Sequence, residues 1–213
     1  MRRHYIEELE AVRQDLIEMG QTTISLLDEM SRAVADPNPG PSERASELEA
    51  RTDHQHRLIH DECLNLIALQ APVAGDARLI TGILEAIVDL ELIGDYGYEI
   101  VKLTGDLNHK PPSEVTAQVA KTAERVRYLL SSAVESWCNR DRAQALSLRP
   151  QAVPIRDECE RLYASLSQSV SAPEDGVALV DLMLVCKHLE RILRHTVSVA
   201  EQAAEAAPLS QEA

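Results

Sequence analysis

The chain has no phenylalanine, one tryptophan and five tyrosines in 213 residues, so its core has to be assembled from Leu, Ile, Val, Ala and Met. Scarce aromatics favour helix packing over sheets, where aromatic and β-branched residues concentrate. No apolar run approaches the ~18 residues that a membrane-spanning helix requires. Basic residues are outnumbered, 21 Lys and Arg against 35 Asp and Glu, and the net charge of −14 argues against nucleic acid or an anionic membrane surface as a partner. Cations and basic protein surfaces fit that charge, which also serves solubility. Cys63, Cys138, Cys159 and Cys186 form no CxxC pair and read as reduced, small core residues of a cytosolic protein. Met1-Arg2-Arg3-His4-Tyr5 leads into an acidic amphipathic stretch without an apolar leader, and the protein is expected to be cytoplasmic. There is no Gly-rich phosphate loop, Ser/His/Asp arrangement or cysteine nucleophile setting, so no enzyme activity is expected.

What is present is helical periodicity. Leu9, Val12, Leu16, Met19, Leu26, Met30 and Val34 recur at steps of three and four, with Thr23 filling the gap, and the segment ends before Asp36-Pro37. Ser42 is placed to cap a second helix reaching about Leu69, with Leu48, Leu58, Ile59, Cys63, Leu66 and Ile67 facing inward. Gln70-Ala71-Pro72 breaks it, and a third helix begins near Asp76 as its cap, carrying Ile80, Ile83, Leu84, Ile87, Leu90 and Ile100. Asn108 to Ser113 form a boundary, after which Val115, Val119, Val126, Leu129, Leu130 and Val134 mark a fourth helix. Pro150 and Pro154 are expected to interrupt the start of a fifth, Ser171-Ala172-Pro173 to separate it from a sixth, and Pro208 to end the sixth. The predicted fold is all-α: two tandem three-helix bundles related by an internal repeat, six long antiparallel helices in residues 1–108 and 111–206, with 207–213 a tail.

Glu49 with Asp53 and Glu91 with Asp95 stand equally far from Pro72 on either side. A helical hairpin about that proline brings both i, i+4 pairs level, and four converging carboxylates call for a cation or for protonation. The plainer alternative is a solvated acidic face. Gly94, mid-helix between Glu91 and Asp95, signals close approach of a neighbouring helix or a ligand. His56 or His60 could join Asp53 in a mixed nitrogen and oxygen site. Positions 152/156 and 190/194 mirror one another about Pro173, and hold Ala152, Arg156, Glu190 and Arg194. One acidic cluster is therefore kept and the other lost, and Arg156 or Arg194 is expected to pair with Glu190 in place of a cation.

Asp61-Glu62-Cys63, Gln70-Ala71-Pro72, Asp76-Ala77-Arg78-Leu79 and Glu91-Leu92-Ile93-Gly94-Asp95 resemble the PhoU family of phosphate-signalling regulators. That family carries an acidic-x-x-x-Asp motif on the last two helices of each three-helix repeat. The resemblance implies a negative regulator of phosphate uptake and phosphate-starvation signalling, coupling a phosphate ABC transporter to a sensor histidine kinase. It implies membrane association only through those partners, and a homodimer. It also makes Glu49, Asp53, Glu91 and Asp95 ligands of a metal ion, with iron, zinc, manganese or magnesium all compatible with oxygen donors. The second half departs from the pattern, reading Glu190-Arg191-Ile192-Leu193-Arg194. Two rivals share the helical fold: an accessory subunit of a low-affinity phosphate permease, and a metal-binding helical-bundle oxidase. The oxidase reading requires Glu-x-x-His motifs, which both acidic pairs lack.

Overall fold

In the computed structural model, residues 2–36, 42–70, 72, 74–105, 113–169 and 176–208 are described. They form six α-helices: α1 (Arg2–Ala35), α2 (Glu43–Gln70), α3 (Ala74–Gly105), α4 (Ser113–Asn139), α5 (Arg142–Ser169) and α6 (Gly176–Ala206). No strand occurs among the described residues. Within each half every helix touches the other two, and across the halves α1 packs on α4 and α3 on α6. The first and third helices of both halves thus make an inner ring, with α2 and α5 outside it. One aliphatic core runs through all six helices. The boundary near residues 106–112, the Pro173 turn and the tail beyond Pro208 lie outside the described residues.

Local chemistry sets the ends. The Ala45 amide donates to Ser42 Oγ at 3.3 Å, so Ser42 caps α2 as its sequence position suggests. Asp76 lies inside the first turn of α3 instead of capping it, where its charge still complements the helix dipole. The α4–α5 turn falls at Arg140-Asp141, well before the prolines. Arg140 adopts φ 53°, and the Asp141 amide donates to the Ser136 carbonyl at 3.1 Å. Asp141 Oδ1 then accepts from the Gln144 amide at 2.9 Å, capping α5.

Pro150 and Pro154 do not interrupt α5, which passes through both. They are exposed, so the carbonyls of Leu146 and Pro150 that lose helix donors face water. Meanwhile Ala145, Leu148, Ala152, Ile155, Cys159, Leu162 and Leu166 anchor the buried side. Two residues expected inside α2 are outside: Leu58 is 50% exposed and Ile67 43%. As an outer helix, α2 meets only α1 and α3, and its buried stripe narrows to residues such as Ile59, Cys63 and Leu66. Cys63, Cys159 and Cys186 are buried and their thiols are pushed up to about 12, chiefly by desolvation, but Cys138 is exposed. Trp137, buried on α4, donates Nε1–H to the Val199 carbonyl of α6 at 3.0 Å.

The halves are also tied by a polar clamp. Arg13, only 6% exposed, donates to the Trp137 carbonyl at 2.7 Å near the C-terminus of α4 and pairs with Glu10. Arg140 reaches the same carboxylate. Hydrogen bonding from Arg13 outweighs the opposing effect of burial and lowers the Glu10 pKa to about 2. A folded value below the unfolded one stabilises the fold above the unfolded pKa and stops doing so as pH falls through the folded one. Glu10→Gln is therefore expected to melt below wild type at pH 7, with the two converging between about pH 5 and pH 2. A gap that stays constant over that range in thermal melts would contradict the clamp.

The tightest helix approach is at Gly20, where an added Cβ would lie 2.7 Å and 3.0 Å from the two Val134 methyl carbons. A valine restricted at χ1 yields only if α4 moves. Gly20→Ala is expected to destabilise by about 1–3 kcal/mol, read from Trp137 fluorescence in urea. Gly75→Ala, with open space around it, should leave the midpoint unchanged or raised. Equal midpoints for Gly20→Ala and wild type would refute the contact.

Candidate functional site

The α2–α3 hairpin brings the two acidic pairs together. On α3, Leu90, Ile93, Gly94 and Gly97 turn into the core, which leaves Glu91 and Asp95 half-buried beside α2. On α2, Thr52 is buried between Glu49 and Asp53, and its methyl lies 3.5 Å from where a Cβ on Gly94 would be. That distance is ordinary van der Waals contact. The true steric limit on α3 is Gly97, whose added Cβ would stand 2.8 Å from Leu27 of α1.

Carboxylate oxygens of Glu49, Asp53 and Asp95 all lie within 4.8 Å of one another. Glu91 is outside that triple but faces it: its pKa is raised by burial and then by Asp53. Burial first, then Asp53 and Asp95, raises Glu49. Burial, then Glu91, Asp53 and Glu99, raises Asp95, with Lys102 opposing. The geometry suits one hard cation, since metal–oxygen bonds of about 2.0–2.6 Å place neighbouring ligand oxygens roughly 3–5 Å apart. Neither His56 nor His60 belongs to the triple. Desolvation lowers the His56 pKa, and His60 contacts Asp61 at 3.5 Å. Glu99 and Lys102 also act on the cluster, and the i, i+4 step continued past Asp95 is the sequence signal that reaches Glu99.

The mirrored positions of the second half also assemble. Ala152, Arg156, Glu190 and Arg194 line one groove between α5 and α6. The expected Arg–Glu190 pair does not form: Glu190 takes Lys187 at 2.8 Å, while Arg156 pairs along its own helix with Asp157 at 2.9 Å. Neighbours three residues or one residue away on the same helix win because they reach the charge without crossing the groove. A further polar cluster joins α3 to α6. His195 Nδ1 lies 2.7 Å from Asp89 Oδ1, and Tyr96 stacks on His195 and packs at a tilt against His188, under the Arg191 guanidinium. Contacts between residues so distant in sequence leave no local pattern to read.

Raised folded values for Glu49, Glu91 and Asp95 mean that the folded state binds protons more tightly than the unfolded chain. Without metal, these groups add stability as pH falls from neutral through the folded values toward about 4. Metal-free Asp95→Asn is expected to melt about 1–3 °C above metal-free wild type at pH 7, since it removes one member of the repelling set. The advantage should shrink near pH 5. A lower melting temperature for the variant at pH 7 would show that repulsion is not what governs the cluster.

A family profile described as "PhoU domain" matches residues 16–104. The chain is 28% identical over 203 residues to the "Phosphate-specific transport system accessory protein PhoU homolog" of Synechocystis sp., covering 94% of this chain and 90% of that protein. It is 25% identical over 196 residues to the protein of that name from Pseudomonas aeruginosa, covering 91% and 81%. Its fold matches the crystal structure of PhoU from Pseudomonas aeruginosa with a TM-score of 0.89 over 95% of this chain and 98% of that one, at 23% identity. The phosphate transport system regulatory protein PhoU from Streptococcus pneumoniae superposes with a TM-score of 0.81 at 18% identity, covering 95% and 96%. The hairpin motif, the helix order and these comparisons agree: residues 16–104 match the PhoU domain, and the chain is similar to PhoU proteins in sequence over most of its length and in fold.

Proposed function

We propose that this protein is a negative regulator of phosphate uptake and phosphate-starvation signalling, acting between a phosphate ABC transporter and a sensor histidine kinase. It works by binding these partners, without covalent chemistry, as a cytoplasmic homodimer. Curated relatives bearing the name of a phosphate-specific transport accessory protein support the phosphate role. No helix of the described residues is long and apolar enough to cross a membrane, which agrees with attachment through partners.

The observation that carries the site is the convergence of Glu49, Asp53 and Asp95, with Glu91 facing them, on the α2–α3 hairpin. These four side chains are the ligands of a metal ion, for which iron, zinc, manganese and magnesium are candidates. The ion's contribution is positive charge, which cancels the carboxylate repulsion and clamps the outer helix α2 to α3. The resulting surface is what a partner recognises, and affinity follows the partner's conformational state.

Elemental analysis of untagged protein should give stoichiometric metal in the wild type and none in the Glu91→Ala, Asp95→Ala variant. Melting temperature should fall in the variant relative to metal-loaded wild type, and not relative to chelated wild type. In cells, deleting the gene should make a phosphate-starvation reporter independent of phosphate, and the wild-type gene should restore the response. A reporter that still follows phosphate in the deletion strain would end the regulatory reading. A metal-free wild type after incubation with all four ions would end the metal assignment.

A further inference from the structure

The groove between α5 and α6 has a volume of about 550 Å³ and is lined by Arg149, Arg156, Arg191 and Arg194 against Glu190 and Glu201. Both glutamates are already paired, Glu190 with Lys187 at 2.8 Å and Glu201 with Arg149 at 2.5 Å. No hydrogen bond or ion pair joins Arg194 to a described residue. Arg156 bonds Asp157 through Nε and Nη2, leaving its Nη1 edge free of protein partners. Arg191 lies over the Tyr96 ring at 5.3 Å, which holds its position through the ring face and uses none of its N–H donors. The groove floor includes Ala152 and Leu193, 7% and 3% exposed, so charges above it are set against an apolar base.

We propose that this groove binds a phosphate-type tetrahedral oxyanion through Arg156 and Arg194, with Arg191 beside them. An excess of positive charge is concentrated here in a chain whose net charge is −14. Guanidinium forks from facing helices match the oxygen geometry of phosphate and offer several N–H donors at once. The location adds a structural argument. The positions that hold Glu49, Asp53 and Asp95 in the first half hold Ala152, Arg156 and Arg194 here, so the repeat presents acids at one hairpin and, at the other, arginines that keep N–H donors to spare. Replacing Glu49's counterpart by alanine also removes the side chain that would fill the groove. The oxyanion site does not depend on whether the acidic cluster holds metal.

The test is isothermal titration of the full chain with inorganic phosphate at low ionic strength in chloride buffer, alongside co-sedimentation with phosphatidylglycerol vesicles. Wild type is compared with Arg156→Gln, Arg194→Gln and with a charge-matched control, Arg3→Gln, Arg161→Gln, at exposed sites outside the groove. Saturable phosphate binding that weakens at least tenfold in the first variant and less than twofold in the control supports the proposal with the free anion as ligand. Arginine-dependent vesicle binding without binding of free phosphate supports it with a lipid headgroup as the source. Should the glutamine variant fail to fold by circular dichroism, Arg156→Lys, Arg194→Lys decides, because it keeps the charge and loses the fork. An affinity between tenfold and twofold below wild type is expected of it. Absence of saturable binding to both probes, or equal losses in groove and control variants, overturns the proposal.

Discussion

Burial of the aliphatic face of α3 forces three carboxylates together against their repulsion, and the rest of the first half is arranged around that conflict. Ile87, Leu90 and Ile93 are each at most 1% exposed. Each contributes roughly 1.5–3 kcal/mol by leaving water, against about 0.2–0.5 kcal/mol for a like-charge pair at i, i+4. Packing therefore fixes the rotation of α3, and Glu91 and Asp95 have to go where that rotation points them. The same logic holds on α2, where buried Thr52 and Ile59 set the rotation that turns Glu49 and Asp53 toward α3. The acidic cluster is a consequence of the core and can be relieved only by protons, by a cation or by substitution.

Helix positions and the meeting of the acidic pairs were legible because both depend on short-range rules. Period 3.6 gave the buried stripes of α1, α3 and α4, and a proline midway between the pairs gave their level placement in the hairpin. The failures have a common origin in tertiary context. Pro150 and Pro154 read as breaks by local propensity, yet seven buried residues hold α5 together around them. Leu58 and Ile67 read as core because the stripe was assumed as wide on α2 as on an inner helix, whereas α2 has only two neighbours. The Arg140-Asp141 turn was hidden because an arginine occupies the left-handed position that glycine usually marks.

The second half shows what mirrored counting can and cannot deliver. Equal distance from Pro173 sets Ala152, Arg156, Glu190 and Arg194 level with one another, and in the fold they line one groove, since backbone register alone decides their level. Mirrored counting does not deliver their partners, which depend on side-chain reach. Lys187 and Asp157 lie three residues and one residue from the groups they take, and such neighbours cost less side-chain entropy to engage than a partner across a groove.

Mobility in this architecture is confined by the same packing. α3 is held by three helices, α1, α2 and α6: Gly97 abuts Leu27 on α1, Gly82 faces Ala206 on α6, and Asp89 and Tyr96 engage His195 and His188 there. A close-packed inner ring resists displacement, because moving one helix opens voids along several contacts at once. α2 is held on fewer sides and leaves Leu58, Leu64, Ile67 and Leu69 at the surface. Any change in spacing between the two acidic pairs is therefore taken up by α2, the helix that carries Glu49 and Asp53. A cation bridging the pairs would act on the one element of the first half with room to respond, and a partner reading the outer surface of α2 would read the state of the cluster.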